Sequence, residues 1–113
     1  MTENPLPIET DCRSVKAALD RGDKFLLLDC REQDEWDLVH IDEAKLLPMS
    51  QLASRIEELK TYQGAKIVVH CHHGGRSLRV ADWLRKVGFR DAQSMAGGID
   101  AWSQEIDQAL PRY

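Results

Sequence analysis

The chain has 113 residues, 42% hydrophobic and 30% charged, a make-up that fits one globular domain with its own core, expected over residues 1–113. Its 15 basic and 19 acidic side chains leave a net charge of −4, which gives no general attraction to nucleic-acid phosphates or anionic lipid, so neither is expected as a partner. Three widely spaced cysteines do not make a secreted disulfide framework, no stretch reaches the roughly 18 apolar residues of a membrane span, and the N-terminus lacks a signal pattern; a cytoplasmic protein is expected.

Residues 1–5 read as a loose extension, followed by a short edge strand around Ile8. Thr10 or Asp11 can cap a helix with Cys12, Val15 and Leu19 at helical spacing, and Gly22 ends it. Phe25–Leu28 is a continuous apolar run closing on Asp29-Cys30-Arg31, the pattern of a strand buried on both faces. Glu32 to Asp37 reads as a short helix or turn anchored by Trp36, with Arg31 and Glu35 as an ion pair near the sheet end. A short strand over Ala44–Leu47 closes at Pro48. Ser50 then caps a helix carrying Leu52, Ile56 and Leu59 on one face, with its exit at Gly64. Ile67–Val69 is a second β-like run. The helix after it shows Ser77, Val80, Ala81, Leu84 and Val87 at helical spacing and stops at Gly88. A last strand over Phe89–Ser94 and a turn at Met95–Gly98 lead into a helix holding Ile99, Trp102 and Ile106. Strands alternating with helices indicate an α/β domain with a mostly parallel sheet, in which ligands bind beyond the carboxyl ends of the strands.

Cys71 falls at such an end, and so do Asp29, Cys30 and Arg31. The six residues after Cys71, His72-His73-Gly74-Gly75-Arg76-Ser77, read as a tight turn opening onto a helix. A sulfur there faces the positive end of a helix dipole and a concave set of backbone N–H groups, both of which favour the thiolate. The thiolate is the nucleophilic form, so the segment points to sulfur chemistry. Gly74 and Gly75 allow positive φ and close backbone approach. Arg76 opposes the dipole from the first turn, a cost of about 0.3 to 1 kcal/mol that calls for a compensating role. Its guanidinium can hold loop carbonyls or grip an oxyanion in bidentate fashion.

Cys71-His-His-Gly-Gly-Arg76-Ser77 resembles the active-site loop of single-domain rhodaneses, thiosulfate sulfurtransferases whose loop runs six residues from Cys to Arg. Asp29-Cys30-Arg31, Glu35-Trp36, His40-Ile41-Asp42-Glu43-Ala44 and Gly97-Gly98 with Ala101-Trp102 resemble further family signatures, in the family's order. Two departures stand out: Cys30 replaces an aliphatic residue or threonine, and Glu43 stands where a glycine normally precedes the alanine. The resemblance implies a single rhodanese-like domain with helices on both faces of the sheet, and a two-step displacement. Cys71 takes the outer sulfur of thiosulfate as a persulfide, cradled by the amides of residues 72–76. A second nucleophile, cyanide in the assay or a dithiol or protein thiol in the cell, removes it. Arg76 supports loop and substrate, Ser77 opens the helix, Asp29 and Arg31 are supporting residues, and no metal or organic cofactor is implied.

Other readings of the same residues stay open. A regulatory or sulfur-relay module that binds a partner would keep the same loop. A Cys-dependent phosphatase uses a related loop, but with five residues between Cys and Arg where this chain has four. His70, Cys71, His72 and His73 are zinc-ligating types, although consecutive residues seldom converge on one ion. His72 and His73 could instead line the pocket mouth. Cys30 could serve as a resolving thiol for an oxidised Cys71, or be a buried cysteine. Trp36 and Trp102 read as core anchors.

Overall fold

A computed structural model describes residues 6–113; the expected N-terminal extension over residues 1–5 lies outside them. The element order is β1 (Glu9–Thr10), α1 (Cys12–Arg21), β2 (Leu26–Asp29), α2 (Gln33–Leu38), β3 (Lys45–Leu46), β4 (Ile67–His70), α3 (Gly75–Lys86), β5 (Ala92–Met95) and α4 (Gly98–Glu105). The five strands form one parallel sheet in the order β1-β5-β4-β2-β3. The expected α/β domain is therefore what the chain forms.

The apolar runs of β2 and β4 are continuous because both faces of the sheet are covered. Leu26, Leu28, Ile67 and Val69 point to one side, where Leu52, Leu59, Val80, Ala81 and Leu84 meet them. Leu27 and Val68 point to the other, against Cys12, Val15, Ile99 and Trp102 of α1 and α4. Register pairs Asp29 with His70 across β2 and β4, so the polar residues ending both strands lie side by side.

Local signals account for most element ends. Asp11 caps α1 by accepting the Ser14 amide at 2.7 Å, and Gly22, at φ +75°, closes it through its N–H to the Ala18 and Leu19 carbonyls. The largest departure is over residues 49–62. Instead of one amphipathic helix there are two 3₁₀ segments, Met49–Gln51 and Ile56–Tyr62. The Ser50 hydroxyl that would have capped a helix donates to the Glu32 carboxylate at 2.6 Å, and neither segment has a side-chain cap. Leu52 and Leu59 are still buried, whereas Ile56 is half-buried. Two smaller corrections concern anchors. Trp36 is only half-buried, stacked on the His40 ring at 4.0 Å, and Val87 is exposed. Trp102 is the core anchor expected. The Ile41–Ala44 turn, closed by the Ala44 amide on the Ile41 carbonyl, manages without the family's glycine, and no described non-glycine residue has positive φ.

Candidate active site

Cys71 follows the last residue of β4, and its sulfur sits under the first turn of α3. The Gly74 amide donates to Sγ at 3.1 Å and the Ser77 amide at 3.3 Å, while the thiol lies 3.5 Å from the Ser77 hydroxyl oxygen. Burial on its own raises the thiol pKa. The hydrogen bond with the Ser77 hydroxyl and those from the Ser77, Gly74 and Arg76 amides outweigh it, so the net shift is below the ordinary thiol value. The Ser77 hydroxyl is itself fixed, 2.7 Å from Ser94 Oγ on β5 and 3.2 Å from the Gly74 carbonyl. Ser94 is a contributor that nothing in the sequence flagged.

The two loop glycines do different things. Gly74, at φ +110°, is the αL residue before α3, and a Cβ there would come within 3.2 Å of the Gly97 nitrogen. Gly75, expected to share that conformation, is instead the first helical residue, exposed and with open space around it. The loop is held from the far side by α4. The Ile99 amide donates to the Cys71 carbonyl at 2.9 Å and the Asp100 amide to the His72 carbonyl at 3.1 Å. Gly98, at φ +58°, is needed there, because a Cβ would run into those two carbonyl oxygens.

Arg76 is compensated by Glu35, the residue expected to pair with Arg31. Its Nη1 and Nη2 grip both oxygens of Glu35 at 2.7 and 2.9 Å. Glu35 therefore pairs with Arg76 and not with Arg31, and the loop carbonyls are not Arg76's partners. The Arg76 hydrogen bonds, against the cost of burial and with help from the Tyr113 hydroxyl, bring the Glu35 carboxyl down to about 2. Glu35 Oε1 also accepts the Glu32 amide, which caps α2.

Arg31 instead pairs with Asp29, both fully buried, with Nε 3.0 Å from Oδ1 and Nη2 2.7 Å from Oδ2. Nη2 also reaches the Val39 carbonyl at 2.7 Å and Nη1 the Tyr113 hydroxyl at 2.8 Å. This pair ties the carboxyl end of β2 to the Val39 carbonyl and the Tyr113 hydroxyl. His70 lies beside them, fully buried, its pKa lowered by burial, with Nε2 3.6 Å from Asp29.

The histidines separate. His70 faces Asp29, away from any cluster with its neighbours, while His72 stacks on Tyr113 at 3.9 Å and tilts against His73 at 3.8 Å. Among the described residues the trio with ligand atoms within 4.8 Å of one another is His72, His73 and Asp100, so His70 and Cys71 do not join it. Arg112 holds both oxygens of Asp100, at 2.8 and 3.3 Å, in competition with a cation there. Cys30 is a free thiol, fully buried, with its pKa raised first by burial and then by the charge of Cys71. That environment disfavours the thiolate a resolving cysteine would use.

The comparisons agree with this geometry. The model of the rhodanese-like domain matches residues 11–105. The chain is 38% identical over 101 residues to the probable adenylyltransferase/sulfurtransferase MoeZ of Mycobacterium tuberculosis, covering 89% of this chain and 26% of that protein. It is 33% identical over 107 residues to the adenylyltransferase and sulfurtransferase MOCS3-2 of Zea mays, covering 90% and 22%. The chain thus spans roughly a quarter of the length of these two relatives. Among solved structures, the thiosulfate sulfurtransferase of Pseudomonas aeruginosa superposes with a TM-score of 0.79 at 24% identity, over 92% of this chain and 20% of that one. The human single-domain sulfurtransferase TSTD1 does so with 0.74 at 22%, over 88% and 97%. These two likenesses concern the fold. No described helix is long and apolar enough to cross a membrane.

Proposed function

The chain belongs to the rhodanese-like family, and from that premise we propose that it is a sulfurtransferase carrying a sulfane sulfur from thiosulfate to a thiophilic acceptor on Cys71. The observation that supports this most is the acidified Cys71 sulfur accepting the Gly74 and Ser77 amides. In the first step the Cys71 thiolate attacks the outer sulfur of thiosulfate. A new S–S bond forms, the bond to the sulfonate sulfur breaks, and sulfite leaves with that electron pair. In the second step cyanide or a thiolate attacks the terminal sulfur and the Cys71 thiolate is the leaving group. Cyanide yields thiocyanate; a protein thiolate acquires the persulfide. Charge balances in both steps without an external redox partner.

The roles within the site follow from the contacts. The loop backbone, chiefly Gly74 and Ser77, stabilises negative sulfur before and after transfer. Ser77 adds a hydroxyl that can donate to the thiolate. Arg76 offers Glu35 two of its five N–H groups, leaving the others for the donor's sulfonate oxygens. His72 and His73 line the mouth. A protein thiol as acceptor is the second reading, favoured by the adenylyltransferase and sulfurtransferase names of the relatives, in which a domain like this one is a minor part of a longer chain. Three unpaired cysteines suit a reducing compartment such as the cytoplasm.

Steady-state kinetics with thiosulfate and cyanide, reading thiocyanate, test the proposal. Parallel double-reciprocal lines are expected, as for a ping-pong route, with no turnover in Cys71→Ser. Intersecting lines, turnover surviving in the variant, or hydrolysis of a phosphoester in place of thiocyanate formation would each count against it.

A further inference from the structure

Cys71, at the centre of this site, is 1% exposed, yet its sulfur has to meet a donor and then an acceptor. A segment far away in sequence, residues 110–113, reaches the loop that holds it. Leu110 packs against the second core cluster, its amide donates to the Asp107 carbonyl at 3.1 Å, and its carbonyl accepts the Ser103 hydroxyl. Arg112 is tied to Asp100 beside the loop. Tyr113 then reaches across. Its ring lies flat on His72, with 3.9 Å between centroids and 5° between planes. Its hydroxyl donates to Glu35 Oε2 at 2.6 Å and accepts Arg31 Nη1 at 2.8 Å. His72 begins the loop and Arg76, held by Glu35, ends it, so one aromatic ring is anchored to both flanks of the cysteine.

We propose that Tyr113 is a specificity-determining residue, a fixed wall of the entrance to Cys71 that admits small or slender reagents and slows bulky ones. Three features make it more than a surface aromatic. The hydroxyl is satisfied at both ends, by a donor and an acceptor that belong to separate ion pairs. The ring stacks on a residue of the loop itself, so ring and loop share one position. The segment behind it is pinned at Leu110 and Arg112, which holds the wall in place. As a consequence for the proposed function, and resting on that reading, an acceptor must be small like cyanide or present its thiol on an extended segment. A thiol lodged in a convex protein surface is disfavoured.

Alkylation of Cys71 tests the wall without turnover. Rates with iodoacetamide and with fluorescein-5-maleimide are compared in the wild type, Tyr113→Phe and Tyr113→Ala, with thermal melts as a check on folding. Tyr113→Ala is expected to speed the bulky reagent about tenfold and to change the small one little, on the scale by which a pocket discriminates one extra group. Tyr113→Phe keeps the ring on His72 but loses both hydroxyl contacts, and its ratio of rates is expected to fall between those of the wild type and Tyr113→Ala. An unchanged ratio in Tyr113→Ala overturns the inference, since a merely structural loss moves both reagents together. Loading of Cys71 by thiosulfate, followed separately by mass spectrometry, judges the sulfurtransferase reading. Its failure leaves the alkylation ratio free to judge Tyr113.

Discussion

A buried sulfur favours its neutral form, and the Cys71 loop reverses that preference with a few fixed donors. Of these, the Ser77 hydroxyl is the one that can be removed without touching the backbone, and Ser94 keeps it aimed. Ser77→Ala is therefore expected to raise the Cys71 pKa and leave the Gly74 and Ser77 amides in place. The pH dependence of iodoacetamide alkylation checks this, with its midpoint moving upward; an unmoved midpoint would mean that the amides alone set the acidity. The placement of Cys71, Arg76 and Ser77 between a strand end and a helix start was legible in the sequence because apolar run, glycine pair and helical spacing are all local signals. The Arg76–Glu35 and Ser77–Ser94 contacts were not, because they join residues 41 and 17 positions apart that only the sheet order brings together. For Glu35 the nearest cation in sequence, Arg31, was the wrong partner: its own carboxylate, Asp29, was two residues away.

At the scale of elements, the site is where α3 and α4 both begin. The start of α3 gives amides to the sulfur, and the start of α4 gives amides to the carbonyls of Cys71 and His72 behind it. The loop is thus clamped on two sides by helix N-termini whose donors would otherwise lack partners. Gly98 permits the second clamp. Gly98→Ala forces a Cβ into the Cys71 and His72 carbonyls at positive φ, and overpacking of that kind costs about 1 to 3 kcal/mol. Denaturant unfolding is expected to show that loss, together with slower alkylation of Cys71 as the loop shifts; full stability in the variant would mean the clamp is dispensable. Gly75→Ala, by contrast, meets open space and is expected to be neutral or slightly stabilising. The segment over residues 49–62 shows the limit of periodicity as a guide. Its apolar spacing marks Leu52 and Leu59 as the buried positions they are, yet Ser50 spends its hydroxyl on Glu32 and the backbone settles into 3₁₀ turns.

Across the whole molecule, the sheet's carboxyl edge carries two ion pairs with different exposure and different consequences. Asp29 and Arg31 are fully buried, so removing one partner strands the other in a low-dielectric site. Arg31→Met is expected to cost about 3 to 5 kcal/mol in denaturant unfolding, far more than an exposed pair. A loss under about 1 kcal/mol, the scale of an exposed pair, would show that water or a neighbour satisfies Asp29. Glu35 and Arg76 stand nearer the surface. The Glu35 pKa is lowered from 4.5 to about 2 in the folded state, so its stabilisation is present at neutral pH and is lost as pH falls from the unfolded value through the folded one. Melting temperature against pH is expected to fall over that window in the wild type, and Glu35→Gln is expected to flatten the fall; parallel curves would remove the assignment.

The central claim is that Cys71 carries a sulfur atom, and the intact mass of the protein after incubation with thiosulfate tests it most directly. The wild type is expected to gain one sulfur atom, mapped to Cys71 and removed by cyanide, while Cys71→Ser gains none. A wild type that gains nothing, or a gain that persists in Cys71→Ser, would contradict the account.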